Sequence, residues 1–137
     1  MSKVSAIIDK MYENDPFSNW LGIERIEEKP GSVVLQLLVR AEMLNGFGIA
    51  HGGITYSLAD SALAFSANGH GIQSVSIETS ISHTKPVKEG DVLRTKVVEE
   101  NITSKIGIYS ITILNQNQEK VALFKGTVYR TGKEWEV

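Results

Sequence analysis

The 137-residue sequence contains no cysteine. Disulfides, thiolate metal ligands and a thiolate nucleophile are therefore excluded, and any chemistry must come from carboxylates, histidines, hydroxyls or the backbone. The same absence fits a reducing compartment. An excess of one charge is also missing: 14 Lys and Arg against 16 Asp and Glu leave −2. No block of like charges suggests a nucleic-acid-binding tail, which argues against DNA binding. No apolar run approaches the ~20 residues of a membrane span, and Met1-Ser2-Lys3-Val4 lacks the basic-then-apolar layout of a secretion signal. A soluble cytoplasmic protein without a membrane partner is expected. What is present is 42% hydrophobic residues, enough for one domain over residues 1–137. Such a chain leaves roughly 7,000 Å² exposed of the roughly 22,000 Å² of its extended form.

Val4, Ile7, Ile8, Met11 and Tyr12 recur at helical spacing, predicting an amphipathic helix over about 4–13 that Asn14-Asp15-Pro16 terminates. Gly22 to Glu28, a Lys29-Pro30-Gly31 turn and Ser32 to Arg40 read as a β-hairpin with Val33, Leu35, Leu37 and Val39 on one face. A glycine-punctuated loop, Ala41 to Gly53, then feeds a run of small and apolar residues through Asn68. That run predicts a helix over about 53–68 with apolar residues on several strips, hence enclosed nearly all round. Four β segments follow: Ser74 to His83, Asp91 to Ile102, Gly107 to Asn115 and Lys120 to Arg130. The short turns between them predict an antiparallel meander joined to the first hairpin. The fold class is α+β, a long sheet of five or six strands wrapped around a central helix.

The chemistry-bearing residues gather around that helix. Asp60 is its one acidic residue, and burying an ionised carboxylate without partners costs several kcal/mol. Ser57 and Ala64, on the same strip, are small and leave room beside the carboxylate for another molecule. The structural alternative is a carboxylate satisfied by a cap or a subunit-interface hydrogen bond. His51-Gly52-Gly53 stands where the helix begins, and the glycines let a ligand approach unpaired N–H groups that favour negative charge. A tight entry turn capped by His51 explains the same residues without a ligand. Asn45, six residues earlier, is placed to orient a carbonyl or a water, or simply to form a turn. His70, between Gly69 and Gly71, reads as an exposed loop residue, and His83 as a packing residue or part of an acyl pocket. No His and carboxylate spacing fits a metal site.

Met43-Leu44-Asn45-Gly46, His51-Gly52-Gly53 and Ser57-Leu58-Ala59-Asp60 together resemble the hotdog-fold acyl-CoA thioesterases of the phenylacetic acid degradation type. The resemblance runs from about Leu21 to Arg130, through Lys85-Pro86, Gly90-Asp91 and Val121 to Gly126. It implies that Asp60 is the catalytic carboxylate, that Gly53 N–H polarises the thioester carbonyl, and that Asn45 and His51 position the reactants. It also implies an aryl or medium-chain acyl-CoA substrate, with coenzyme A part of the substrate and no separate cofactor. Ser80 stands where members of the family often carry threonine, and His83 where an aromatic or aliphatic residue is usual, so these two positions bear on acyl specificity. Residues 1–82 carry 5 basic and 9 acidic side chains and residues 83–137 carry 9 and 7, giving −4 and +2. The basic half offers Lys85, Lys88 and Lys105 to the phosphates of coenzyme A.

Gly53 and Asp60 are seven residues apart, about 10 Å along one helix. A reacting carbonyl must lie about 3 Å from both the oxyanion donor and the attacking group. The spacing therefore predicts a homodimer whose sites combine the Gly53 end of one subunit with Asp60 of the other. The family's usual assembly, often a dimer of dimers, agrees. Two other expectations remain open from the residues alone: a non-catalytic acyl-CoA or small-ligand binding domain, and a hydratase or dehydratase on the same scaffold.

Overall fold

The computed structural model describes residues 2–137, with a solvent-accessible surface of 7095 Å². Helix α1, Lys3–Glu13, begins at Ser2, whose hydroxyl accepts from Ser5 N–H, and buries Val4, Ile7 and Ile8. A second helix follows where no helical period is evident in the sequence: α2, Pro16–Leu21, with Asp15 accepting from Ser18 N–H and Gly22 closing it in a left-handed conformation. The signal was present as Asp, then proline at the first helical position, then glycine just past the end.

Strands β1 (Glu24–Lys29) and β2 (Ser32–Leu38) form the expected hairpin, with Val33, Leu35, Leu37 and the following Val39 buried. Helix α3, Gly52–Asn68, lies across the sheet formed by these strands and by β3 (Ile72–His83), β4 (Val92–Ile102), β5 (Ile106–Leu114) and β6 (Lys120–Glu134). Leu58, Ala59 and Ala62 of α3 are fully buried against it. Alanine at these positions brings the helix close, and Gly126 on β6 completes the fit. A Cβ there would come within 2.5 Å of Leu63.

All six strands are antiparallel in one sheet, but their order is β1-β2-β4-β5-β6-β3. The expected meander holds for β4, β5 and β6. The segment placed at its start, β3, instead pairs with β6 at the far edge. Lys85-Pro86 and Glu89-Gly90, instead of forming a tight turn, belong to one connection over residues 84–91 that crosses the end of the sheet. Returning over three strand spacings needs about 14 Å, well within the reach of eight residues.

Enclosure of α3 is also incomplete. Tyr56, Ser57, Asp60, Ser61 and Ala64 form a half-exposed stripe, partly covered where the Ser18 and Ser61 hydroxyls meet at 2.8 Å. His70 differs from its expected exposed loop: it is half-buried and bonded to Glu99, which also accepts from the hydroxyl of fully buried Tyr109. Burial pushes that phenol above its ordinary range.

Candidate active site

The loop before α3 is shaped by its own backbone. Asn45 N–H donates to Ile49 C=O at 2.8 Å, Gly48 N–H to Asn45 C=O at 3.0 Å, and Phe47 N–H to Asn45 Oδ1 at 2.9 Å. The Asx turn uses the side-chain oxygen of Asn45 and leaves its Nδ2 hydrogens for the adjoining hollow. That hollow, about 380 Å³, is lined by Asn45, Ile49, Gly52, Thr55, His83 and Lys85 among others. Loop, helix start and the end of β3 thus meet in one place.

His51 is the N-cap of α3, and its Nδ1 accepts from Gly53 N–H at 3.2 Å. The turn-and-cap reading of His51-Gly52-Gly53 is therefore correct for the free protein. It also puts Gly53 N–H in an exposed helix end where a substrate oxygen can take the place of the imidazole nitrogen. Thr55, one turn on, is 2% exposed. Its hydroxyl donates to Gly52 C=O at 3.0 Å and lies 2.7 Å from His83 Nε2. The His83 ring covers Gly52 so closely that a Cβ there would be 3.1 Å from Cε1.

Asp60 opens elsewhere. It lines a hollow of about 270 Å³ with Met11, Leu63, Ala64, Val75 and Val128 among others. Among the described residues nothing donates a hydrogen bond to Asp60 and no cation pairs with it. Burial, followed by the negative charge of Asp15, holds its carboxyl above the ordinary carboxylate range. Among the described residues no cap explains this carboxylate structurally. Ser57 and Ala64 share its half-exposed stripe, as their spacing predicted.

The remaining residues divide. Lys85 stands at the first hollow, paired with Glu119 at 2.9 Å; its charge and the Asn115 amide hold that carboxyl below its ordinary range. Lys88 is exposed in the same connection, its N–H held by Asp91 at 2.9 Å. Two expected residues lie apart. Lys105 sits in the β4–β5 turn, at the opposite end of β5 from Lys85, about 30 Å along the strand. Ser80 faces outward, because Thr79 before it turns inward to Tyr56 at 2.6 Å and alternate residues point to opposite faces. Ser80 lines an outer-face groove with Ser110, Thr112 and Lys125. Thr55 was missed by the sequence reading; it is one of several hydroxyl residues in α3, with Ser57, Ser61 and Ser66, and nothing in the sequence sets it apart. Among the described residues no three His, Asp or Glu side chains gather as a metal site.

The model of the Thioesterase superfamily matches residues 47–122, which include the helix start, Asp60 and His83. The acyl-coenzyme A thioesterase PaaI of Escherichia coli is 39% identical over 122 residues, covering 89% of this chain and 87% of its own. The structure of the E. coli PaaI protein from the phenylacetic acid degradation operon superposes with a TM-score of 0.93 at 37% identity, covering 96% of both chains. A putative esterase of Archaeoglobus fulgidus is 36% identical over 132 residues, covering 96% of this chain and 86% of its own. A hypothetical thioesterase from Streptococcus pneumoniae, solved with coenzyme A, superposes with a TM-score of 0.86 at 27% identity over 92% of this chain and 98% of that one. A long antiparallel sheet wrapped around one helix, with His51-Gly52-Gly53 at its start and Asp60 on its open face, is the hotdog fold, and the chain belongs to the thioesterase superfamily as a PaaI-like member.

Proposed function

We propose that the protein hydrolyses the thioester of an acyl-CoA to free acid and coenzyme A, in the cytoplasm and without a separate cofactor. The observation that carries this reading is Asp60: a half-buried carboxylate with no partner among the described residues, beside an apolar hollow, on the helix whose start presents Gly53 N–H. An unpartnered charge of this kind is costly for stability and is kept where it acts. Gly53 N–H and Asn45 Nδ2 hold the thioester oxygen. Asp60 either attacks the carbonyl carbon, expelling the thiolate and leaving a mixed anhydride for water to cleave, or takes a proton from water as it adds. In the second route the tetrahedral oxyanion collapses, the C–S bond breaks and the thiolate leaves with the proton.

Two separate hollows in one chain support a shared site. Asp60 and Gly53 open to separate spaces in one chain, and about 10 Å of helix rise separates them. The sheet edge offers a means of joining two copies. One side of β3 is unpaired, and Val75 and Ile77 on it are 57% and 58% exposed, next to the Asp60 hollow. A long exposed edge strand is a pairing surface. Two chains joined there form a homodimer with two shared sites, and dimers of this kind pair again. The Asp60 hollow, walled by Met11, Leu63 and Val128, takes a compact apolar acyl group, of aryl or medium-chain size and phenylacetyl-like. Lys85 and Lys88 flank the other mouth for the phosphates.

A panel of aryl and straight-chain acyl-CoAs with thiol detection tests the reading. Thiol release is expected with at least one compact acyl group; thermal protection by acyl-CoA with no thiol released from any of them would show a binding protein instead. Asn45→Ala should lower kcat by about 100-fold, the low end for loss of one oxyanion donor and less than loss of the carboxylate, because the second donor remains. A loss equal to that of an Asp60 variant would reverse the roles assigned here.

A further inference from the structure

We infer that Thr55 and His83 are positioning residues that orient and polarise the oxyanion donor through a hydrogen-bond chain running His83 to Thr55 to the Gly52–Gly53 peptide. The inference rests on the proposed role of Gly53 N–H and adds to it two residues outside the donor pair.

The Gly52 carbonyl and the Gly53 N–H belong to one peptide unit, which is planar and turns as a rigid body. Whatever holds Gly52 C=O therefore aims Gly53 N–H. Two successive glycines at a helix start have the greatest backbone freedom in the chain to lose, and their cap, His51, is exposed. Thr55 Oγ1 lies 3.0 Å from Gly52 O, a contact that fixes the plane from inside the fold, since Thr55 is 2% exposed. A hydroxyl has one hydrogen, and Gly52 O only accepts. That hydrogen therefore goes to Gly52 O, and His83 Nε2, at 2.7 Å, carries its own and donates to Thr55.

All donors then point the same way. His83 N–H polarises the Thr55 hydroxyl, the hydroxyl polarises the Gly52 carbonyl, and the peptide resonance makes Gly53 N–H a stronger donor; chains of hydrogen bonds reinforce one another in this manner. The His83 ring, packed on Gly52, holds the same turn sterically. Because the oxygen gains charge on reaching the tetrahedral state, a better-aimed and more polar donor favours the transition state over bound substrate. Its effect falls on kcat and not on KM.

Steady-state kinetics on a cleaved acyl-CoA test this with Thr55→Val, which keeps the shape and removes the hydroxyl, and Thr55→Ser, which restores it. Thr55→Val should lose about five- to tenfold in kcat, the worth of one neutral hydrogen bond, with KM within about twofold, and Thr55→Ser should recover most of the loss. His83→Leu should lose somewhat less and His83→Gln should recover it, and joining His83→Leu to Thr55→Val should add nothing, since the chain is already broken. His83 lies on an exposed strand end, so the His83 pair gives the answer even where Thr55→Val fails to fold. An unchanged kcat in Thr55→Val and His83→Leu, a change confined to KM, or independent multiplication of the two losses would overturn the chain. Wild-type protein that releases no thiol would instead sink the hydrolase reading, and the chain with it.

Discussion

Asp60→Asn is expected to leave the protein folded and to lower kcat on every cleaved acyl-CoA by at least about 10³-fold, the scale of losing a reacting group elsewhere. Asparagine keeps the size of the side chain but neither attacks a thioester nor takes a proton from water. The variant should also be no less stable than the wild type, and this separates a functional carboxylate from a structural one. In the folded protein burial and Asp15 raise the Asp60 carboxyl above its ordinary range. The folded state then binds the proton more tightly than the unfolded chain, so stability falls as pH rises from the ordinary carboxylate value through the raised one. Above that window the whole penalty is present, and asparagine removes it. Thermal unfolding at neutral pH should give the variant an equal or higher Tm, with the difference closing in acid. In the wild type, kcat/KM should fall as pH drops through an apparent pKa above the ordinary carboxylate range. A variant that loses activity together with several degrees of Tm would mean that Asp60 holds the fold.

Much of this arrangement was legible in the residues because the relevant signals are local. The helix start at Gly52 and the alternation of Val33, Leu35 and Leu37 follow from period and turn chemistry. Asp60 stood out as a charge in an otherwise small and apolar helix. What failed was non-local. Strand β3 reads as the first strand of a meander because its sequence neighbours are β strands. Its partner is chosen by where α3 delivers the chain and by the eight-residue return over the sheet end. The outward direction of Ser80 depends on register, which a shift of one residue reverses. Thr55 could not be singled out, because its role comes from contact with His83, 28 positions away.

Within one chain the enclosure read for α3 is incomplete, and the gap bears on the last prediction. A sequence that looks buried on every strip was matched by a chain that leaves the strip of Ser57, Asp60, Ser61 and Ala64 half-open. If a second copy closes that strip, two damaged proteins can repair each other. Asp60→Asn keeps an intact Gly53 end. Gly53→Pro keeps Asp60 but has no N–H to offer the carbonyl, and the first turn of a helix tolerates proline. Each variant alone should be nearly inactive. After the two are unfolded and refolded together at equal concentration, half of the dimers should be mixed, and each mixed dimer has one site built from the two intact halves. Activity should therefore return to about a quarter of the wild-type value, because a two-fold interface gives each chain's helix start the other chain's carboxylate. Sites contained in single chains would recover nothing, since every chain carries one lesion. Recovery should also follow subunit exchange in time, and it should be lost when Ile77→Lys in both variants places like charges on the facing β3 edges.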